Sequence, residues 1–182
     1  ANAVVTLVAD GNVDQSAAPQ LAADATIDQD DETFIPLVTV IRRGCHVVFR
    51  NSDQTTHHVY SFSPLRKFEY KIDRGQKTPP VDFEQSGVVA IGCNIHDQMI
   101  AYVFVTDNRW TMRTGADGRA RFDNVPSGAF HVEGWHPQLS PRAAKPSQAL
   151  TVAEPAATAS LKIPVTVSDM SGMNMHPHRQ EY

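Results

Sequence analysis

Apolar residues along this chain gather in runs of about four to eight, rich in Val, Ile, Phe and Tyr, and Gly, Pro, Asn or Asp closes almost every run. No stretch beyond about ten residues keeps the apolar period of a helix without a breaker. The pattern predicts an all-β protein. Strands are expected at Val4–Val8, Leu37–Ile41, Cys45–Arg50, His57–Phe62, Val88–Cys93, Ile100–Val105, Trp110–Arg113, Ala120–Asp123, Ala129–Trp135, Leu150–Val152 and Ala159–Val165. The segment Pro64–Pro80, with cationic Arg66, Lys67, Lys71, Arg74 and Lys77, reads as a long loop with at most a short helix or irregular edge strand.

Of the 182 residues, 41% are hydrophobic and 20% charged, the balance of a chain that buries a core. The net charge is −4, and without a basic surplus neither a nucleic acid nor an anionic membrane is expected as partner. No apolar run approaches the ~18 residues of a membrane span. The opening ANAVVTLVAD lacks the basic stretch and long apolar core of a signal peptide, so a mature, soluble form is expected. Two cysteines allow at most one bridge.

The chemistry concentrates in GVVAIGCNIHDQMIAYVFV, where Cys93, His96 and Met99 are each separated by two residues in a short loop between apolar strands. Such a loop can aim a thiolate, an imidazole and a thioether at one point. Zinc takes a closed set of Cys and His, to which a thioether adds almost nothing. A trigonal His₂Cys plane with a weak axial Met is instead the ligand set of an electron-transfer copper site. The missing histidine is offered by Asn51-Ser52-Asp53-Gln54-Thr55-Thr56-His57-His58. Strand alternation puts His57, Val59 and Ser61 on one face and His58, Tyr60 and Phe62 on the other, so only one of the two histidines can readily face the metal.

The pattern Pro36…Val40…Gly44…Val47-Val48-Phe49-Arg50-Asn51…His57-His58-Val59, followed by Gly87-Val88…Cys93-Asn94-Ile95-His96-Asp97-Gln98-Met99, resembles the cupredoxins, small blue-copper proteins such as plastocyanin and amicyanin. The Cys-x₂-His-x₂-Met spacing is similar to amicyanin's ligand loop. HHVYSFSP together with CNIHDQM is closer still to bacterial plastocyanin-like proteins labelled methylamine utilization proteins. The resemblance covers roughly residues 24–107. It implies a Greek-key β-sandwich that binds one type 1 copper through His57, Cys93, His96 and Met99, with no catalytic residue. It also implies single-electron transfer, not enzymatic turnover, between redox proteins (a cytochrome or a copper or quinone enzyme) in the periplasm or another extracytoplasmic space. His58 then falls where plastocyanins commonly carry an Asn that ties the two ligand loops together. Asp97 stands where many cupredoxins have Pro, and Ile91 replaces a frequent aromatic residue.

Other readings of the same residues are plainer. A buried Cys and Met beside a surface His needs no metal, and a Cys–His nucleophilic pair would need an oxyanion motif that is not evident. Cys45 alternates with Val47 and Phe49 as a reduced core residue, since a disulfide to Cys93 would consume the thiolate. His46 faces solvent, and His131 and His136 are structural. The basic run Arg66–Lys77 is a solvated face or a guide for an acidic redox partner.

A boundary is expected at Thr106–Arg109. Beyond it, Thr114-Gly115-Ala116-Asp117-Gly118 through Asn124-Val125-Pro126-Ser127-Gly128 to Val132 resembles the carboxypeptidase regulatory-like, transthyretin-like β-sandwich over about residues 109–166. That resemblance implies a small structural or interaction module. Such a module usually begins with a strand like Ala3–Val8, so Val4–Val8 is expected to pair beyond residue 109. The resulting division is an N-terminal strand and linker (1–23), a cupredoxin domain (24–107), a smaller sandwich (108–167) and a tail (168–182). The tail's Met170, Met173, Met175, His176 and His178 suit Cu(I). Copper tolerance, storage or delivery, or docking onto a larger complex, are the alternatives to electron transfer.

Overall fold

A computed structural model describes residues 2–14, 21, 24–140, 142–153 and 156–165. The methionines and histidines of the segment 168–182 lie outside the described residues. Thirteen strands follow one another: β1 (Val4–Ala9), β2 (Asp24–Asp30), β3 (Thr33–Ile35), β4 (Val38–Arg42), β5 (Cys45–Asn51), β6 (His57–Ser61), β7 (Phe68–Ile72), β8 (Val81–Phe83), β9 (Gly87–Cys93), β10 (Ile100–Thr106), β11 (Thr111–Arg113), β12 (Gly128–Trp135) and β13 (Ser147–Val152). The described residues contain no helix, and the protein is all-β.

The chain forms two compact units, one from Ala1–Leu21 with Thr106–Thr166 and the other from Ala22–Val105. In the latter, a five-stranded sheet of order β4-β10-β9-β6-β7 and a four-stranded sheet of order β3-β2-β5-β8 turn their inner faces to one core. β5 alternates as expected, with Cys45, Val47, Phe49 and Asn51 turned inward. β9 supplies Val89, Ile91 and Cys93, and β10 supplies Ala101, Val103 and Val105. Gly92 pairs with Tyr60, and a Cβ there would stand 2.9 Å from the tyrosine ring, so the glycine before Cys93 lets Tyr60 lie across the strand.

Four strands were hidden from the hydropathy pattern. β2, DATIDQD, is rich in acid and amide, and its inward positions are Ile27 and the fully buried Gln29. Gln29 donates to Arg50 O at 3.0 Å, which satisfies its amide nitrogen in a parallel ladder with β5. β3 and β8 are three residues each, too short to show a period. β7 lies inside the expected loop Pro64–Pro80; as an edge strand it exposes Glu69 and Lys71 and still pairs all five residues with β6.

In the other unit one sheet has the order β11-β1-β12-β13. β1 is central, with Val4 opposite Arg113 on one side and Trp135 on the other. Two expected strands, Ala120–Asp123 and Ala159–Val165, are not strands. Their alternation is real, since Phe122, Ala159 and Leu161 pack onto the core of Leu7, Trp110, Phe130 and Val132, but they make no ladder. Leu161 and Ile163 settle over Gly134, where a Cβ would come within about 3 Å of both. The second sheet that a transthyretin-like sandwich requires is therefore not formed among the described residues.

Both tryptophans, Trp110 and Trp135, belong to this unit, so their fluorescence reports on it alone. Leu7→Ala is expected to lower its unfolding free energy by about 2–5 kcal/mol in urea titrations, the cost of a cavity beneath a central strand.

Candidate metal centre

β6 begins at His57 and β9 ends at Cys93, and the two strands are antiparallel neighbours with Val59 opposite Cys93. Alternation turns His57, Val59 and Ser61 inward, which decides between the adjacent histidines: His57 is 0% exposed. The loop from Asn94 to Met99 returns to β10. Its first residue is tied down where Asn94 N–H donates to His58 O at 2.9 Å, and it is tightened where Met99 N–H donates to His96 O at 3.0 Å. This main-chain bond joins the two loops. The His58 side chain, expected in that role, sits on the other face and contacts Glu69 at 2.9 Å.

Three ligand atoms converge. Cys93 Sγ lies 3.7 Å from His57 Nδ1 and 3.9 Å from His96 Nδ1, and the two Nδ1 atoms are 3.2 Å apart. A triangle with those sides has its circumcentre about 2.1 Å from every corner, the length of a transition-metal bond to imidazole and slightly short of one to thiolate. Among the described residues this is the one group of His, Cys and carboxylate ligands close enough to hold an ion. Met99 is buried in the apolar cluster that also holds Cys93, on the core side of the loop. Cys45 is buried and carries no disulfide, as Cys93 also does not.

The outer nitrogens are held by carboxylates that the sequence reading passed over. His57 Nε2 lies 3.1 Å from Asp53 Oδ2, and a carboxylate can only accept, so Nε2 carries the proton and Nδ1 faces the centre. Asp53 accepts two further bonds, from Glu32 N–H at 2.7 Å and Gln54 N–H at 3.0 Å. Buried Asn51 braces the loop, donating to Thr55 O at 2.8 Å and Ile72 O at 2.9 Å and accepting from Asp53 N–H at 2.9 Å. His96 Nε2 faces Glu32 Oε1 at 3.5 Å, and Gln98 Nε2 contacts the other Glu32 oxygen at 3.4 Å. A loop rich in Ser, Asp and Thr before His57 hinted at Asp53. Nothing local hinted at Glu32, which β2 and β3 bring in from far along the chain.

Electrostatics follow from these contacts. Burial pushes the Cys93 thiol up, but the hydrogen bond with His57 and the main-chain bonds at His58, Ile95 and His96 outweigh it, bringing the pKa down to about 6. Burial pushes His57 down, and its bonds to Cys93 and Asp53 more than reverse this, so it titrates above the ordinary imidazole range. Burial likewise raises Asp53, but its main-chain donors from Glu32 and Gln54, with His57, hold it below the usual carboxylate value.

Elsewhere, His131 contacts Asp10 at 2.6 Å and Glu133 at 3.5 Å, and His136 Nδ1 accepts from Gln138 N–H at 3.2 Å. His46 is half-exposed on Asp82 at 2.5 Å.

No family model matches the chain, and no curated protein matches it. Similar solved structures include a purple cupredoxin from Nitrosopumilus maritimus, 23% identical over 46% of this chain and 100% of that one, TM-score 0.41. Amicyanin from Paracoccus versutus is 18% identical over 56% and 97%, TM-score 0.42. A copper-containing nitrite reductase from Thermus scotoductus SA-01 is 22% identical over 46% of this chain and 22% of its own, TM-score 0.43. Each likeness spans about half of this chain.

Two outcomes are expected of the metal-free protein. Thiolate ultraviolet absorbance should rise with a midpoint about pH 6 and vanish in Cys93→Ser. Because the unfolded thiol titrates near 8.5, the stability this thiolate lends is complete above roughly that pH and is lost as pH falls through about 6. Asn51→Ala, which strands the buried Ile72 carbonyl and removes the bonds to Thr55 O and Asp53 N–H, should cost roughly 1–3 kcal/mol and speed hydrogen exchange in β5 and β6.

Proposed function

We propose that the unit Ala22–Val105 holds one type 1 copper ion through His57, Cys93, His96 and Met99, and that the protein carries single electrons between redox partners outside the cytoplasm. The observation that carries this reading is the convergence of two Nδ1 atoms and the Cys93 sulfur on a point about 2.1 Å from each. The soft thiolate of Cys93, with the Met99 thioether buried in the same core cluster, favours copper over zinc. When bound, copper would supply a reversible one-electron couple, whose potential Met99 and the surroundings of the Cys93 thiolate would adjust.

The rest is done by this chain. With its thiol brought down to about 6, Cys93 would meet an incoming ion largely as the thiolate near neutral pH. The β6–β9 pairing and the Asn94–His58 bond hold two ligands on sheet backbone, which limits rearrangement between oxidation states. His57 and Cys93 are closed off, while the His96 side chain is 16% exposed and its neighbour Ile95 is 53% exposed, so the His96 edge is the side at which a partner would reach the centre. With four protein ligands no position is left for a substrate, and the protein acts as a carrier and not as an enzyme. A cytochrome or a copper or quinone enzyme is the class of partner this role requires.

Cys93→Ser should abolish the intense visible absorption of the copper-loaded protein and change its EPR spectrum. A variant that keeps both overturns the ligand assignment.

A further inference from the structure

The hairpin joining β2 to β3 turns through Asp31 and Glu32 with φ of 51° and 52°. Two successive left-handed residues are the geometry of a tight turn that favours glycine, above all at its second position. Here that position is a glutamate. Its main-chain N–H is bound to the Asp53 carboxylate at 2.7 Å, the same carboxylate oxygen that contacts His57 Nε2. Its side chain reaches the second histidine, with Oε1 3.5 Å from His96 Nε2, and Gln98, on the same loop as His96, contacts its other oxygen. One residue thus ties both histidines together from behind, through its backbone to the partner of His57 and through its carboxylate to His96. The turn would form more readily with glycine, so local folding alone does not account for the glutamate.

We infer that Glu32 is a positioning residue for the metal centre: it holds His96 with the proton on Nε2 and Nδ1 toward Cys93, and its negative charge favours the oxidised ion. This deepens the copper reading and rests on it. The inner geometry agrees. His96 Nδ1 lies 3.9 Å from Cys93 Sγ and 3.2 Å from His57 Nδ1, so it is the ring nitrogen turned to the centre, and Nε2 is the one that meets Glu32. Partner carboxylates on the far nitrogen of a ligand histidine fix its tautomer and raise its basicity. A fixed negative charge near the ion stabilises the more positive oxidation state. Glu32 is one-third exposed, which screens that charge without removing it.

The test compares wild type with Glu32→Gly and Glu32→Gln in the full chain. Glycine suits the turn and keeps the N–H bound to Asp53, so Glu32→Gly should unfold in urea no earlier than wild type. In the metal-free protein at about pH 8, nitrogen-15 NMR should show His96 as the Nε2–H tautomer in wild type and Glu32→Gln, whose amide oxygen still accepts. In Glu32→Gly the two tautomers should mix. In the copper-loaded protein both variants should shift the equilibrium toward Cu(I) by roughly tenfold, 59 mV for a one-electron couple. An unchanged His96 tautomer and potential in Glu32→Gly overturns the inference. If wild type itself shows no intense absorption and no reversible couple, the copper reading fails instead, and the tautomer still decides whether Glu32 positions His96.

Discussion

The bond from His57 Nε2 to the Asp53 carboxylate decides which nitrogen of a fully buried ring faces Cys93, and much of the unit Ala22–Val105 serves to hold its two ends. His57 is held by sheet pairing, as the first residue of β6 between β7 and β9. Asp53 is held by a loop that Asn51 braces from within the core, with every hydrogen-bonding atom of the Asn51 side chain used. Were that loop free, the imidazole could exchange tautomers and the centre would lose one of three converging lone pairs. A buried polar network of this kind supports a site only when it is fully satisfied.

The thiolate shows the same economy of placement. Desolvation alone would keep Cys93 protonated, but β9 ends where main-chain N–H groups of the following loop turn back toward the sulfur. The backbone that delivers His96 and Met99 therefore also stabilises the anion that an ion would bind. Loop and ligand chemistry are one structure here, so a residue inserted between Cys93 and Met99 would disturb charge and geometry together.

How much of this was legible in the sequence differs by the kind of physics involved. Period-two alternation separated His57 from His58 correctly, because inward-facing positions in a two-layer core are a matter of parity alone. The same parity misled at Ala120–Asp123 and Ala159–Val165. It reports which residues are buried, not whether the backbone has a partner, and there the chain covers an apolar sheet face without joining it. β2 failed for the opposite reason, since its buried Gln29 is polar and its satisfaction depends on a carbonyl on β5. Glu32 and Asp53 belong to this second kind. Their roles arise from a hairpin and a loop meeting in space, and a composition of Asp and Glu reads only as solvated surface until the topology is known.

The charge arrangement around the centre gives the carboxylates a meaning beyond orientation. On the proposed copper reading, a thiolate and Cu(I) together would be neutral, whereas a thiolate and Cu(II) would leave one positive charge beside an apolar core. Burial by itself thus favours the reduced ion, and the main-chain donors that stabilise the thiolate push the same way. Asp53 behind His57 and Glu32 behind His96 oppose both effects from positions where they cannot bind the ion, because an imidazole stands between. A site built only from the apolar core would be driven toward Cu(I). On the proposed copper reading, two acids outside the ligand set would restore the balance a reversible carrier needs, and one of them sits in a turn whose left-handed backbone favours glycine.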